Sequence, residues 1–286
     1  MDIRIVNTCN NNCLFCLEQS YRNKNPFIPI ELLSQKLVCI PNDTTLTFYG
    51  GNPLLHPDLI KIIKYARTVG FQHFSILSNT GGITSSLLDE LISLGLSTFG
   101  FYFHAFHSGY HDIITQGGLN YGLLLKNMEL LKNSRIGLKA IIHINNISIN
   151  SIYRDIILLN KVYGVKEFEF INYFPFDRPY EKYKQILQYD ITLKRDKIDQ
   201  LFRVIKKLNF RANFVKFSRD FFGEYDSYYN YEKGVLSQIS DEDILRLDVI
   251  DPLLPFCFEE HRCPECFIKD NCRFYDERSS YSSKNM

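Results

Sequence analysis

Short apolar segments alternate with longer segments of helical periodicity over the first 173 residues of the chain. Strands are predicted where apolar residues run together or alternate with polar ones, at 3–8, 44–49, 71–77, 98–104, 137–144 and 166–173. Helices are predicted between them, at 28–38, 57–69, 84–94, 122–131 and 149–162. Strands that alternate with helices in this way are typical of a parallel sheet joined by crossover helices. The pattern therefore places the chain in the α/β class.

The alternation breaks beyond residue 177. A further helix is predicted at 196–208, and an aromatic-rich run follows at 221–231. Aromatic side chains offer large contact areas, so this run could line a peptide groove or pack between the sheet domain and the C-terminal segment. The packing interpretation is favoured. We divide the chain into a core domain at 1–215 and a C-terminal segment at 216–286.

Net charge and cysteine content limit the classes of function. A formal net charge of +1 over 286 residues gives no concentrated basic surface, so a nucleic-acid partner is disfavoured. No apolar run approaches about 18 residues and residues 1–4 have no signal-peptide pattern, so we expect a cytoplasmic protein without a membrane span. Eight cysteines in such a protein favour metal or redox chemistry over disulfides. Cys39 stands apart from the other seven, at the apolar end of a predicted helix, and is interpreted as a small buried structural residue.

Three cysteines form a C-x3-C-x2-C motif directly after the first predicted strand: Cys9, Cys13 and Cys16. Thiolates select zinc, copper(I) or iron-sulfur clusters over hard cations. A structural zinc site requires four ligands, whereas a cubane cluster held by three cysteines leaves one iron open to a substrate or cofactor. Half of a zinc site and unrelated buried thiols are the alternatives, but the three-residue gap fits zinc-ribbon spacing poorly.

With the aromatic Phe15 before its third cysteine, the motif resembles the signature of the radical S-adenosylmethionine (radical SAM) enzymes. The resemblance implies a partial, open (β/α)6 barrel of the TIM type, because a closed eight-unit barrel would need more chain. It also implies that the three cysteines bind a 4Fe-4S cluster, which donates an electron to bound S-adenosylmethionine. In this family the resulting 5'-deoxyadenosyl radical abstracts a hydrogen atom from the substrate.

Two further segments resemble cofactor-binding turns of that family. Gly50, Gly51 and Asn52 follow the second predicted strand and resemble the GGEP segment, whose backbone binds the amino group of the methionine moiety. Asn52 stands in place of the usual glutamate, and the backbone role does not depend on that side chain. Ser78 and Asn79 follow the third strand and resemble the TNG turn, which makes them candidates for the ribose or carboxylate of the cofactor. Alternatively, the polar side chains of that turn only satisfy its backbone amides.

Other candidates follow the fourth and fifth strands, because barrel enzymes build their active sites at the C-terminal ends of strands. His104 and Asn145 are candidate cofactor contacts on this ground. The segment with His104, His107, His111 and Asp112 could instead bind zinc or non-haem iron. His111 and Asp112 also match a His-Asp pair of the family that starts the next crossover, and we interpret them as loop architecture. The full set of candidate cofactor contacts is Phe15, Gly50, Gly51, Asn52, Ser78, Asn79, His104 and Asn145, with Asn146, Asn172 and Tyr173 as further site candidates by position alone.

A second group of cysteines lies near the end of the chain: Cys257, Cys263, Cys266 and Cys272. Four thiolates complete the ligand set of either a zinc ion or a 4Fe-4S cluster. The spacing resembles the auxiliary-cluster extensions called SPASM and twitch domains. That resemblance favours one auxiliary 4Fe-4S cluster over zinc.

The resemblance implies that the protein is an enzyme. Enzymes of this build commonly modify ribosomally synthesised peptides, so the leading hypothesis is that a peptide is crosslinked, thioether-bridged or epimerised. A radical SAM dehydrogenase of a small alcohol or sugar is one alternative, and a non-catalytic iron-sulfur or zinc scaffold protein is another. The expected partners are a peptide or small-molecule substrate and a reductant such as flavodoxin or ferredoxin. No residue can be assigned as a catalytic acid or base.

Overall fold

The computed structural model describes residues 1–16, 18, 25–173 and 178–228. Within these residues one parallel sheet contains seven strands, and strands that are neighbours in sequence are neighbours in the sheet. The strands are β1 Asp2–Val6, β2 Leu46–Gly50, β3 Phe74–Ser78, β4 Leu96–Phe103, β5 Gly137–His143, β6 Glu167–Ile171 and β7 Arg211–Val215. The sheet does not close on itself, so the architecture is a partial TIM-type barrel, which confirms the predicted fold class.

Helices connect successive strands and cover one face of the sheet, and one more helix follows β7. They are α1 Ile30–Leu37, α2 Leu59–Thr68, α3 Ser85–Ser93, α4 Ser108–Thr115, α5 Tyr121–Lys132, α6 Ile152–Tyr163, α7 Arg178–Leu187, α8 Arg195–Leu208 and α9 Arg219–Phe222. Short 3₁₀ turns lie at Pro53–Leu55, Ser148–Asn150 and Gly223–Tyr228. No helix in the described part of the chain has the length and apolar character needed to cross a membrane.

All six predicted strands are present, and β7 is an additional strand that the pattern did not reveal. It pairs in parallel with β6, with Phe170 opposite Phe214. Its five residues begin with Arg211 and include Asn213, so neither an apolar run nor a long alternation marks it. The sheet therefore contains one more strand than the six-unit barrel predicted. Helix α4 was likewise missed, because its residues were interpreted as a loop rich in histidine.

The two faces of the sheet have different environments. On the helix-covered face, buried residues such as Phe48, Phe99 and Phe168 join one large apolar core with the helices. Burying each such side chain contributes about 1.5–3 kcal/mol to folding. The inner face carries a small separate apolar cluster of Tyr49, Leu77, Ile141, Ile171 and Val215. Side chains that alternate along each strand therefore separate the folding core from the interior of the barrel.

The inner face also holds charged groups below its apolar cluster. Lys139 on β5 forms an ion pair with Glu169 on β6 at 2.6 Å, and Glu169 is 2% exposed. Arg4 on β1 is fully buried and forms an ion pair with Glu18. The barrel interior is thus lined by paired charges in addition to apolar side chains.

The first part of the aromatic run packs as core. Phe221 and Phe222 are 1% exposed, and Tyr225 stacks on Phe202 of α8 with ring centroids 4.7 Å apart. This part of the run therefore packs against the sheet domain, as the packing interpretation predicts, and its contact with the C-terminal segment stays a prediction. The rest of the run, from residue 229 onward, lies outside the described residues.

The N-terminal cap of α5 supports the loop that precedes this helix. Asn120 accepts a hydrogen bond from the Leu123 backbone N–H at 2.9 Å. Replacing an asparagine cap by alanine costs about 1 kcal/mol, so Asn120→Ala should lower the free energy of unfolding by that amount in a denaturant titration. Lys126→Ala, at an exposed position within the same helix, is the control and should change the free energy by less than about 0.5 kcal/mol. Equal losses for the two variants would contradict the capping role.

Candidate cluster and cofactor site

The three-cysteine loop leaves the C-terminal end of β1. Cys9, Cys13 and Cys16 are partly exposed and form no disulfide. Two backbone hydrogen bonds attach the loop to the end of α4: Asn12 N–H donates to Thr115 O at 3.0 Å, and Leu14 N–H donates to Ile114 O at 2.9 Å. The helix that the sequence did not reveal is therefore one of the supports of the cysteine loop.

Glycines allow three other segments to approach this loop closely. A Cβ atom at Gly51 would lie 2.0 Å from Thr8 O, and one at Gly118 would lie 2.1 Å from Asn10 O. At Gly81 it would lie 2.1 Å from the Asn10 side-chain nitrogen. At Gly51 and Gly118 these distances exclude a side chain without movement of the backbone, whereas at Gly81 the Asn10 side chain would have to move. The first half of the loop is thus enclosed by the turns after β2, β3 and α4.

A network of amide side chains joins the same three strand ends. Asn10 Oδ1 accepts hydrogen bonds from Asn52 Nδ2 at 2.8 Å and from Asn79 Nδ2 at 3.0 Å. Asn52 Nδ2 also donates to Gly81 O at 2.7 Å, and Asn52 Oδ1 accepts from the Ser78 hydroxyl at 2.8 Å. Asn52 and Ser78 are completely buried. The side chains predicted at the ends of β2 and β3 therefore meet each other and position the cysteine loop.

The Cys9 sulfur receives hydrogen bonds from Asn11 and Asn79. Asn11 N–H donates to Cys9 Sγ at 3.4 Å, and Asn79 Nδ2 donates to it at 3.5 Å. Donors of this kind stabilise a thiolate and tune the reduction potential of a cluster bound to it. Three thiols on one short, supported loop, with donors to one sulfur, form a donor set that fits a cluster ligated by three cysteines.

No three His, Cys, Asp or Glu side chains between residues 1 and 228, gaps in the description aside, lie close enough to hold a single metal ion, and this includes the three cysteines. In a cubane each cysteine binds a different iron, so a cluster does not require the three thiols to meet at one ion. The histidine segment is accounted for by local hydrogen bonds instead. His107 Nδ1 accepts from Tyr110 N–H at 3.1 Å, and His111 bonds through Nε2 to Leu119 O at 2.9 Å. Asp112 Oδ1 accepts from Tyr121 N–H at 3.0 Å. His111 and Asp112 therefore lie on α4, not in a loop as predicted, and hold the connection between α4 and α5 by these bonds. The zinc or non-haem iron interpretation of this segment is not supported.

Phe15 connects the cysteine loop to the ends of β5 and β6. It is 1% exposed, and its ring centroid lies 5.4 Å from that of His143, 5.3 Å from Tyr173 and 6.0 Å from His104. The Tyr173 hydroxyl donates to Phe15 O at 3.0 Å and also bonds to His143 Nδ1. His143 was not among the predicted site residues. Its position at the end of a predicted strand was the one signal in the sequence that could have identified it.

The remaining two predicted cofactor contacts occupy different environments. His104 is buried, and its pKa is lowered well below the usual range by burial and by the neighbouring His143 and His111. Asn145 Oδ1 accepts hydrogen bonds from the Tyr110 hydroxyl at 2.9 Å and from two backbone N–H groups of the turn after β5. Asn145 thus maintains that turn, while its role as a cofactor contact stays a prediction, as does that of His104.

The second cysteine group lies outside the described residues. This applies to Cys257, Cys263, Cys266 and Cys272, and with them to most of the predicted segment at 216–286. The auxiliary cluster and the division of the chain into two domains therefore remain predictions.

A partial parallel barrel that carries a three-cysteine loop after its first strand has the build of an enzyme that binds a cluster at the mouth of the barrel. The family model described as the Radical SAM superfamily matches residues 3–155. The chain belongs to this superfamily, whose members use a 4Fe-4S cluster and S-adenosylmethionine. The family resemblance inferred from the cysteine motif is confirmed, and the protein is an enzyme.

Two curated relatives share the N-terminal part of this domain. The chain is 31% identical over 103 residues to a 7,8-dihydro-6-hydroxymethylpterin dimethyltransferase of Methanocaldococcus jannaschii, a match that covers 34% of this chain and 20% of that protein. It is 27% identical over 97 residues to a GTP 3',8-cyclase of Chlorobaculum tepidum, covering 33% of this chain and 29% of that protein. The chain thus matches less than a third of the length of either relative.

Solved structures share the fold at low sequence identity. SuiB of Streptococcus suis, bound to its precursor peptide SuiA, superposes with a TM-score of 0.60 and 15% identity, covering 82% of this chain and 53% of that one. The enzyme anSMEcpe, with bound AdoMet and the Cp18Cys peptide, gives a TM-score of 0.60 and 16% identity, covering 74% of this chain and 62% of that one. These likenesses show a common barrel, and this chain spans less than two thirds of each structure.

Proposed function

We propose that Cys9, Cys13 and Cys16 bind a 4Fe-4S cluster, and that the turns after β2 and β3 hold S-adenosylmethionine beside it. The observation that carries this proposal is the support of the three-cysteine loop by Asn52 and Asn79, which come from those two turns. When bound, the cluster supplies the electron that generates a 5'-deoxyadenosyl radical from the cofactor. The chain's own residues hold the loop in place. Asn52 and Asn79 hydrogen-bond to it, and the glycines of the adjoining turns allow their backbone to contact it closely. Asn11 and Asn79 donate hydrogen bonds to Cys9 Sγ.

In this proposal the cofactor occupies the strand ends next to the loop. The amides of Gly51 and Asn52 donate to Val6 O at 3.0 Å and to Thr8 O at 2.9 Å. An amino group such as that of the methionine moiety needs acceptors, so the carbonyl oxygens of this turn are the groups that would receive it. Gly50 and Gly51 are thereby assigned as cofactor contacts through their backbone.

A peptide is the substrate that we propose, to be crosslinked, thioether-bridged or epimerised. Two structural neighbours, SuiB and anSMEcpe, were solved with bound peptides, and their barrels superpose on most of this chain. A small-molecule substrate is the second candidate, because the two curated relatives are named for reactions of a pterin and of GTP. A small alcohol or sugar belongs to this second candidate.

The tail cysteines complete the proposal. Cys257, Cys263, Cys266 and Cys272 would bind one auxiliary 4Fe-4S cluster, since four thiolates satisfy a cluster without an open iron. A flavodoxin or ferredoxin would supply the reducing electrons. A zinc ion in the tail, or a scaffold protein without catalysis, would give different metal contents and products in the following experiment.

Anaerobic reconstitution with iron and sulfide, followed by reduction with S-adenosylmethionine, tests the proposal. Iron and zinc per chain would be quantified, and 5'-deoxyadenosine would be measured by mass spectrometry. Two cubanes correspond to about eight irons per chain, and a single cubane with zinc to about four irons and one zinc. Cys13→Ala should lose about half of the iron and all 5'-deoxyadenosine formation. Cys39→Ala is the matched control and should lose neither. Cys39 follows α1 and is exposed, so the prediction that it is buried was wrong.

A loaded first cluster that forms no 5'-deoxyadenosine would contradict the catalytic proposal. Substrate class would then be tested by adding synthetic peptides encoded beside the gene, or small alcohols and sugars, and measuring which of them increases 5'-deoxyadenosine formation. Stimulation by small molecules alone would replace the peptide proposal with the second candidate.

A further inference from the structure

His143 lies at the C-terminal end of β5 inside a cage of aromatic rings. Its ring centroid is 5.4 Å from Phe15, 5.1 Å from Tyr173 and 6.1 Å from Tyr102. Ile141, two residues earlier on the same strand, belongs to the inner apolar cluster, so His143 also faces the barrel interior. Its Nε2 atom is buried and has no hydrogen-bond partner among the described residues.

The hydrogen bonds of the cage determine the tautomer of His143. A backbone carbonyl can only accept, so the Tyr173 hydroxyl uses its one proton to donate to Phe15 O. The bond between Tyr173 and His143 then requires that Nδ1 carry the proton and donate it to the Tyr173 oxygen. In a neutral imidazole the other nitrogen is an acceptor. His143 Nε2 therefore presents a lone pair.

The environment keeps this imidazole neutral. Burial, together with the positive charge of Lys216 after β7, lowers the pKa of His143 to about 3. The ring is therefore uncharged at neutral pH, and a hydrogen-bond acceptor remains at Nε2 throughout the physiological range. A buried acceptor without a partner is unfavourable, and a ligand with a donor group would satisfy it.

We propose that His143 Nε2 binds a hydrogen-bond donor of the substrate, an N–H or O–H group, inside the mouth of the barrel. This inference rests on the proposed function. It restricts the substrate class, because a peptide amide satisfies an acceptor whereas an ionised carboxylate or phosphate cannot.

His143 adjoins the candidate cofactor contacts Phe15 and Asn145, but its place in the sheet separates it from the turns proposed to hold the methionine end of the cofactor. Gly50, Gly51, Ser78 and Asn79 follow β2 and β3, whereas His143 ends β5, two strands beyond β3 in the sheet. Adjacent strands lie about 4.8 Å apart, so this separation is about 10 Å. A substrate that enters the mouth of the barrel can reach His143 while the methionine end of the cofactor remains at the turn after β2.

The test uses two probes, of which one has amide donor groups and the other has none. They are N-acetyl-L-alanine N-methylamide, which has two amide N–H groups, and its fully N-methylated analogue, which has none. Binding to the reconstituted full chain with S-adenosylmethionine would be followed by saturation-transfer NMR. The N–H probe should bind His143→Leu about tenfold to a hundredfold more weakly than the wild type, whereas the methylated probe should not distinguish them. His143→Gln, whose side-chain oxygen can accept, should restore most of the binding.

Two outcomes would overturn the proposal. Equal binding of the N–H probe to the wild type and His143→Leu would mean that Nε2 holds no substrate donor. A comparable loss of affinity for S-adenosylmethionine in His143→Leu, measured by equilibrium dialysis, would assign the acceptor to the cofactor. Iron content and 5'-deoxyadenosine formation are determined on the same samples. Failure of the proposed function would appear as low iron content or as absence of 5'-deoxyadenosine. Failure of this inference would appear only in the binding measurements, which require neither reduction nor turnover.

Discussion

Gly118→Ala is expected to displace the cysteine loop and to reduce the iron that the reconstituted chain retains. A Cβ atom at this position would lie 2.1 Å from Asn10 O and 2.5 Å from Asn11 Cα, both backbone atoms. Backbone cannot rotate away as a side chain can, so the loop must shift as a unit. Overpacking of this kind costs about 1–3 kcal/mol. We expect that loss in a denaturant titration, together with a marked fall in iron per chain.

The same region provides a matched control for this prediction. Gly122 lies in the first turn of α5, where an added Cβ would meet only Asn120 Oδ1 at 3.6 Å. Alanine is favoured over glycine in a helix by about 0.5–1 kcal/mol, so Gly122→Ala should be neutral or slightly stabilising and should retain iron. If Gly118→Ala retained as much iron and stability as Gly122→Ala, contact with the turn after α4 would not be what positions the loop.

The topology of the fold and the meeting of its strand ends could be predicted from the sequence. Parallel strands place their C-terminal ends at one edge, so motifs that each follow a strand must come together there. Hydrogen bonds between Asn52 and Asn10, and between Asn79 and Cys9, show that they do. Periodicity and motif position were sufficient because both depend on the local sequence.

Contacts that join distant segments could not be predicted. The sequence around Gly118 does not indicate that this residue contacts Asn10. The contact that requires a glycine there is made with a residue more than a hundred positions earlier in the sequence. The bond from Tyr173 to Phe15 is of the same kind, and it gives His143 its tautomer. Strand β7 was not predicted, because its own sequence pattern is weak and its pairing with β6 stabilises it.

Asn52→Asp is expected to have the largest effect on stability, because this completely buried amide is both donor and acceptor. One carboxylate oxygen would keep the hydrogen bond from the Ser78 hydroxyl. The other carboxylate oxygen would take the place of Nδ2 and would face two acceptors, Asn10 Oδ1 and Gly81 O. In the wild type these atoms lie 2.8 and 2.7 Å from Asn52 Nδ2. A buried charge without a partner costs about 3–5 kcal/mol. The free energy of unfolding at pH 7 should fall by this amount.

The loss should depend on pH, and the direction follows from the burial of the introduced carboxyl. In the folded variant, burial raises the pKa of this carboxyl above its unfolded value of about 3.9. Between these two values the folded state binds more protons, so stability decreases as pH rises through the folded-state pKa. The protonated carboxyl can donate to Asn10 or Gly81. The difference from the wild type should therefore be small near pH 4 and complete at pH 8, as denaturant titrations across this range would show.

Asn10→Asp is the control that isolates the cause, because Asn10 takes part in the same network as an acceptor. Its Oδ1 receives both hydrogen bonds, from Asn52 and from Asn79, and a carboxylate oxygen can receive them equally well. The residue is also exposed, so its charge stays solvated. Asn10→Asp should therefore cost less than about 1 kcal/mol and show no loss of stability towards high pH. Equal losses in the two variants would mean that a negative charge beside the cysteine loop, rather than the missing donor at position 52, destabilises the fold.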